Sequence, residues 1–240
     1  MKLPITAVLV ALAALGALAA PIPKYKEKPL APPTAEQLQE SKANLKRIGL
    51  AIHGYHDANN TMPRDSVDKD GKPLMSWRVM ILPHLGEEEL FKEFKLDEPW
   101  DSKANKPLIE KIPKIYAPIR VKAKAGETYY QGFDGPDATF EAGKQLGFPA
   151  FADGLSNTIM VIEAGEPCAW TRPCDLPYDP TKPLPKLGGL FDGDFHVLMG
   201  DGLVVSGFGK RMEVDEFRKL VTKSDGMVMN PGKALGHEKK

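Results

Sequence analysis

At 240 residues the chain is long enough for one domain, and 42% hydrophobic against 27% charged residues is an ordinary balance for a protein with a real core. Lys plus Arg and Asp plus Glu number 32 each, a formal net charge of zero. Such a surface supplies no general attraction for phosphate backbones, which argues against nucleic acid as the main partner.

The first segment reads as an export signal. Met1-Lys2 is a short basic start, Ile5 to Leu18 is almost wholly apolar, and Ala17 to Ala20 offers small residues at the cleavage positions. The run is short for a membrane span and Pro21 follows directly. A retained shallow anchor is the alternative. The expected organisation is a signal peptide at 1–20, a Pro- and Lys-rich tether at 21–33, one α+β domain at 34–229 and a loose tail at 230–240. Export puts the mature protein in the periplasm or outside the cell, with no stable membrane span after cleavage. Cys168 and Cys174 then meet oxidising conditions. A disulfide closing the short loop between them is one expectation, two separate thiols the other.

The domain opens on its longest periodic stretch, Thr34 to Asn60. Thr34 followed by Gln37 has the spacing of a capping box. Leu38, Ser41, Leu45, Ile48, Ile52 and Tyr55 recur at threes, fours and sevens, which places them on one helical face. Leu50 points away from that stripe, so the second half of the helix is expected to be covered on two sides. Gly49, unfavourable in a helix interior, implies a close neighbour at its backbone. Asp70-Gly71 marks a turn, and Ser76 to Leu85 is an apolar run that fits a buried helical turn or a strand equally well. Glu87 to Phe94 and Asn105 to Lys111 read as short helices. From Ile115 onward strand-like runs alternate with turns: Thr128 to Phe133, Thr158 to Glu163, and Phe195 to Met199 joined to Leu203 to Phe208 through Asp201-Gly202. Glu213 to Thr222 fits a last amphipathic helix. One long helix, small helices and then antiparallel strands define an α+β class.

Candidate chemistry is sparse. His53 and Asp57 are four residues apart with His56 between them, but the pattern lacks a third metal ligand, and packing roles are the alternative. Asp192, Asp194 and Asp201 lie among glycines, with Asp153 and Asn157 in another turn; calcium would need six to eight oxygens, and turn formation explains the same residues. Glu163 ends an apolar strand and Glu166 follows it. A buried carboxylate there suits acid/base work or simple pairing with Arg78, Arg172 or a backbone amide. Ser156 has no nucleophile-elbow context. Trp77, Trp100 and Trp170, with Tyr178, offer aromatic faces for a sugar or peptide, or anchors for loops.

Four blocks carry a family resemblance: Asn44 to Pro63, Ser76 to Ser102, Asp153 to Pro180 and Leu187 to Gly202. Together they resemble the planctomycete family built on domain of unknown function 1559. The resemblance implies a pilin- or pseudopilin-like arrangement, a long N-terminal helix packed on an antiparallel sheet with short extra helices, and brings no established activity. Pseudopilin-like folds can hold calcium in a C-terminal loop, so Ca²⁺ at Asp192, Asp194 and Asp201 is the one ion considered and no other cofactor is expected. The sequence departs from the family pattern in lacking a prepilin leader, in having Phe191 where a His is usual, and in having Ala117-Pro118 where Cys-Pro is common. The expectation is an exported, non-enzymatic domain with a structural or binding role in the envelope, its partner an envelope protein or glycan. A carbohydrate- or peptide-binding module and a hydrolase are the alternatives, with Trp77, Trp100, Glu163 and Trp170 as the residues a binding site would use.

Overall fold

The computed structural model describes residues 33–121, 123–141, 143–188, 193–227 and 229–237. The expected signal peptide and nearly all of the tether lie outside the described residues. Helix α1 spans Ala35–Asn59, and the capping box is formed: the Thr34 hydroxyl accepts the Gln37 N–H while the Gln37 side chain accepts the Thr34 N–H. Asn60 closes the helix in the left-handed region at φ 53°. Its inner face buries Ser41, Asn44, Leu45, Ile48, Ala51 and Ile52.

Strands β1, Ser66–Val67, and β2, Pro73–Met75, flank the Asp70-Gly71 turn. The ambiguous apolar run is helical, as α2, Trp77–Met80, followed by a 3-10 turn at Leu82–Leu85. Helix α3 is Glu88–Glu93, and another 3-10 turn covers Lys106–Lys111. Strand β3 is Glu127–Gln131; the short β4, Phe133–Asp134, pairs in parallel with β6, Leu176–Pro177. The long strand β5, Ile159–Ala169, is followed by β7, Asp194–Met199, and β8, Val204–Phe208. The four-stranded sheet has the order β3-β5-β7-β8 with every pair antiparallel. Gly202, at φ +89°, takes the left-handed position in the β7–β8 turn.

Both faces of this sheet are buried, which explains why β5 and β7 read as continuous apolar runs rather than alternating ones. On one side Leu198, Val161, Met160 and Tyr130 join Leu45, Ile48 and Ile52 of α1 together with Trp77 and Trp170. On the other, Phe195, Val197, Met199, Ile159 and Ile162 join Phe217, Leu220 and Val221 of helix α4, Val214–Val221. Gly49 admits Leu198, whose nearest methyl would lie 3.0 Å from an added Cβ. Two expectations need correction. Leu50 is 67% exposed; the second half of α1 is flanked by β7 and by the Leu82–Leu85 turn, where His84 approaches Gly54, and Leu50 lies outside both. The segment 230–237 is not a loose tail. It forms α5, Pro231–Ala234, capped by the Asn230 side chain, buries Ala234 and Leu235, and ties to β8 through Phe208 N–H to Leu235 O. No helix among the described residues is long and apolar enough to cross a membrane.

Candidate functional site

Arg78 is the starting point because a guanidinium with no exposed surface must find partners for its fixed fork of donors. It sits one residue into α2, and its Nη2 donates to Asp175 at 2.7 Å, its Nη1 to the Ser76 hydroxyl at 2.7 Å and its Nε to the Tyr130 carbonyl at 2.7 Å. Ser76 also caps α2, and the guanidinium lies 4.6 Å from the Trp77 ring centroid. Both oxygens of Asp175 are engaged: Oδ1 accepts from Arg78 and from Gly132 N–H, and Oδ2 accepts from the Trp77 indole at 2.9 Å. Trp77 also donates its backbone N–H to Asp65 Oδ1 at 2.8 Å. One tryptophan thus holds two aspartates from distant segments.

These two aspartates line a cleft of about 310 Å³, within the size range of small-ligand pockets. Its walls come from the segment following α1, from β2, from the loop after β4 and from the disulfide loop, with Met62, Val67, Phe140 and Leu146 on the apolar side and Asp65, Asp134 and Asp175 on the polar side. Burial, and then the negative charge of Asp175, push the Asp65 carboxyl up to about 7, with Arg78 opposing. The sign follows. A carboxyl that rises above its usual value on folding holds its proton in the native state, so its contribution to stability falls as pH rises from about 4 through 7.

A second polar cluster lies under α1. Glu163 of β5 accepts from Ser41 of α1 through Oε1, and through Oε2 from Arg120 at 2.8 Å and from the His196 backbone N–H at 2.8 Å. His196 Nδ1 stands 3.2 Å from the Ser41 hydroxyl and 3.3 Å from Glu163. Serine, histidine and glutamate therefore meet, but all three are buried, and the same imidazole nitrogen faces both partners. A nucleophilic triad needs the carboxylate on one ring nitrogen and the serine on the other. This cluster instead satisfies a buried charge across the helix–sheet joint.

The other candidates have definite places. Trp77 and Trp170 are wholly buried, their indoles donating to Asp175 and to the Ile109 carbonyl, and neither presents a face to a ligand. Trp100 is half-buried under Arg172, whose guanidinium lies 5.8 Å from the ring centroid. Of the partners the sequence offered Glu163, the backbone amide is realised at His196, while the paired arginine is Arg120 and not Arg78 or Arg172. Asp192 lies outside the described residues; Asp194 and Asp201 are exposed, and Asp201 Oδ1 accepts the Leu203 N–H as a turn former. Asp153 accepts the backbone N–H groups of Asp225 and Gly226. His53 faces the Gly200 carbonyl at 2.7 Å, and His56 stacks on Phe148 with its Nε2 accepting the Phe148 N–H. Among the described residues no three His, Cys, Asp or Glu side chains are grouped to hold a metal.

Cys168 and Cys174 form the disulfide, six residues apart. Cys174 lines the cleft and precedes Asp175, so the bridge braces the segment that presents that aspartate. Replacing both cysteines by Ser is expected to lower stability by about 2 kcal/mol, the chain-entropy value for so short a loop. Thermal unfolding by circular dichroism checks this, and an unchanged midpoint would remove the brace from the account.

The fold and cleft define a disulfide-braced α+β domain with an acidic, half-apolar recess. Residues 39–140, from within α1 through the loop after β4, match the family model described as Protein of unknown function (DUF1559). No curated protein and no solved structure matches the chain. The matched segment supplies Asp65, Trp77, Arg78, Asp134 and Phe140 of the site; Asp175 and the disulfide come from beyond it.

Proposed function

We propose that this is an exported, non-enzymatic, pilin-like domain of the cell envelope that works by binding, with the cleft beside Asp65 and Asp175 as its ligand seat. The observation that carries this is the contrast between the two polar sites. The Ser41–His196–Glu163 cluster is sealed and internally satisfied, whereas the acidic end of the cleft opens onto an apolar recess. A hydrolase using two carboxylates would need both to reach one water or substrate atom. Both Asp175 oxygens are already committed to Trp77, Arg78 and Gly132, which favours binding over hydrolysis. Export draws support from the signal-like start of the sequence and from the disulfide, a bond that persists in oxidising compartments.

Val67 is 46% exposed and lines the cleft, so a Val67→Trp variant fills the recess without disturbing the core. Immobilised wild-type domain is expected to retain a component of a native envelope extract that the Val67→Trp domain releases, with both forms melting at the same temperature. Equal retention by the two forms, or none by either, would take the cleft out of the function.

A further inference from the structure

We infer that the cleft takes an organic cation, an ammonium or guanidinium group on an apolar stem, with Asp65 as its counter-ion; this rests on the cleft being the binding site. The charged groups facing the recess decide the sign. Glu141 is paired with Lys144 at 2.6 Å and with Lys223 at 2.9 Å. Asp175 is paired with Arg78. Asp65 differs: one oxygen accepts the Trp77 N–H, and among the described residues it makes no ion pair. The nearest buried cation, Arg78, has its Nε, Nη1 and Nη2 directed to Tyr130, Ser76 and Asp175. Arg64, also on the lining, is exposed. A largely buried carboxylate with an unfilled acceptor is stabilised most by a donor that brings positive charge.

The rest of the lining sets the body of the ligand. Met62, Val67, Pro73, Phe140 and Leu146 form walls that suit methylene groups, as Lys and Arg stems lie along apolar surface elsewhere in proteins. A volume of about 310 Å³ is at the small end for ligands, enough for one such side chain or a small diamine. An anion would meet Asp65, Asp134 and Asp175 together. A calcium ion would need six to eight oxygens, and both Asp175 oxygens already accept from Trp77, Arg78 and Gly132.

The proton on Asp65 makes the inference testable. The recess keeps this carboxyl protonated up to about pH 7, under the opposing influences of Asp175, Asp134 and Arg78 and with Arg64, Glu141 and Lys144 at the lining. A bound cation favours the ionised form, so binding releases that proton and tightens as pH rises through 7.

The test is calorimetric titration of the mature chain at about pH 8 and about pH 5.5 with five probes: agmatine, acetyl-Gly-Lys-Gly-amide, acetyl-Gly-Arg-Gly-amide, the norleucine analogue of these peptides, and calcium chloride. At least one of the first three binds, roughly tenfold tighter at the higher pH, while norleucine and calcium do not. Agmatine alone points to a free amine, the peptides alone to a basic side chain of a protein partner; either supports the inference. Asp65→Asn loses roughly tenfold or more of that affinity, yet melts no lower than wild type at pH 8 because it removes a buried charge and keeps the acceptor for Trp77. Norleucine binding as well as lysine overturns the charge assignment and leaves the cleft a binding site. Calcium binding that depends on Asp65 overturns it in favour of a metal. If no probe binds while Val67→Trp still abolishes retention from the extract, the cation is wrong and the cleft stands; if that retention is also indifferent to Val67→Trp, both readings fall.

Discussion

Replacing Arg78 by Met is expected to lower the unfolding free energy by about 3–5 kcal/mol, the cost of leaving one half of a buried ion pair alone. The side chain has no exposed surface, and its partner Asp175 retains 2%. Removing the guanidinium leaves Asp175 charged beside Asp65 and takes the donor from the Tyr130 carbonyl and a second donor from Ser76. Arg78→Lys should recover little, because a single ammonium cannot reach three acceptors set for a planar fork. Arg78→Met combined with Asp175→Asn should recover much of the loss, since the uncompensated charge is gone. Urea unfolding followed by the fluorescence of the buried Trp77 and Trp170 reads all three variants. A loss below about 1 kcal/mol for Arg78→Met would mean that water reaches Asp175 and screens its charge.

How far the sequence foretold this depends on the range of the interactions involved. Helix α1 was legible because its signals are local: Thr34 and Gln37 stand three apart, and the stripe repeats with the helical period. The β7–β8 hairpin was legible through Asp201-Gly202 for the same reason. The Ser76–Leu85 run stayed ambiguous because its first part is buried without a break from Ser76 to Val79, and again at Ile81 and Leu82, which erases periodicity. The final segment was misjudged although Asn230-Pro231 is a helix-start signal, an N-cap followed by Pro at the first helical position. A single turn offers no repeat to reinforce it. The cleft was not legible at all. Arg78 and Asp175 are 97 residues apart and Trp77 and Asp175 are 98 apart, so only the folded β-sheet brings them together. The one local hint was that Asp175 directly follows Cys174: a residue tied to a disulfide is held in place, and a held carboxylate is a better partner than a mobile one. Trp77 and Trp170 were noticed, but chain position cannot separate an aromatic that binds a ligand from one that positions the carboxylates around it. Trp77 does the latter.

Glu163→Gln should carry a comparable penalty, about 3–5 kcal/mol, in the polar cluster under α1. Gln keeps the volume and one acceptor for the His196 N–H but removes the negative charge facing Arg120, whose side chain is 3% exposed. Burial pushes the Glu163 carboxyl up, yet hydrogen bonding and charge at His196, the charge of Arg120 and the Ser41 hydrogen bond outweigh it and hold the group below the usual glutamate value. The sign is therefore opposite to that of Asp65. A carboxyl lowered on folding stabilises above its unfolded value and loses that contribution as pH falls through the lower native value. Wild type and Glu163→Gln should accordingly differ most near neutrality and converge in acid, whereas Asp65→Asn should gain on wild type as pH rises through 7. Melting curves of both variants across about pH 3 to 8 separate the two clusters in one experiment. A Glu163→Gln penalty that persists unchanged at the acid end would show that the loss comes from packing at Ser41 and Tyr130 and not from the Arg120 pair. The double variant Glu163→Gln, Arg120→Met settles the same point at neutral pH: recovery of most of the loss assigns it to the stranded guanidinium, because that variant leaves α1 and β5 joined by neutral groups alone.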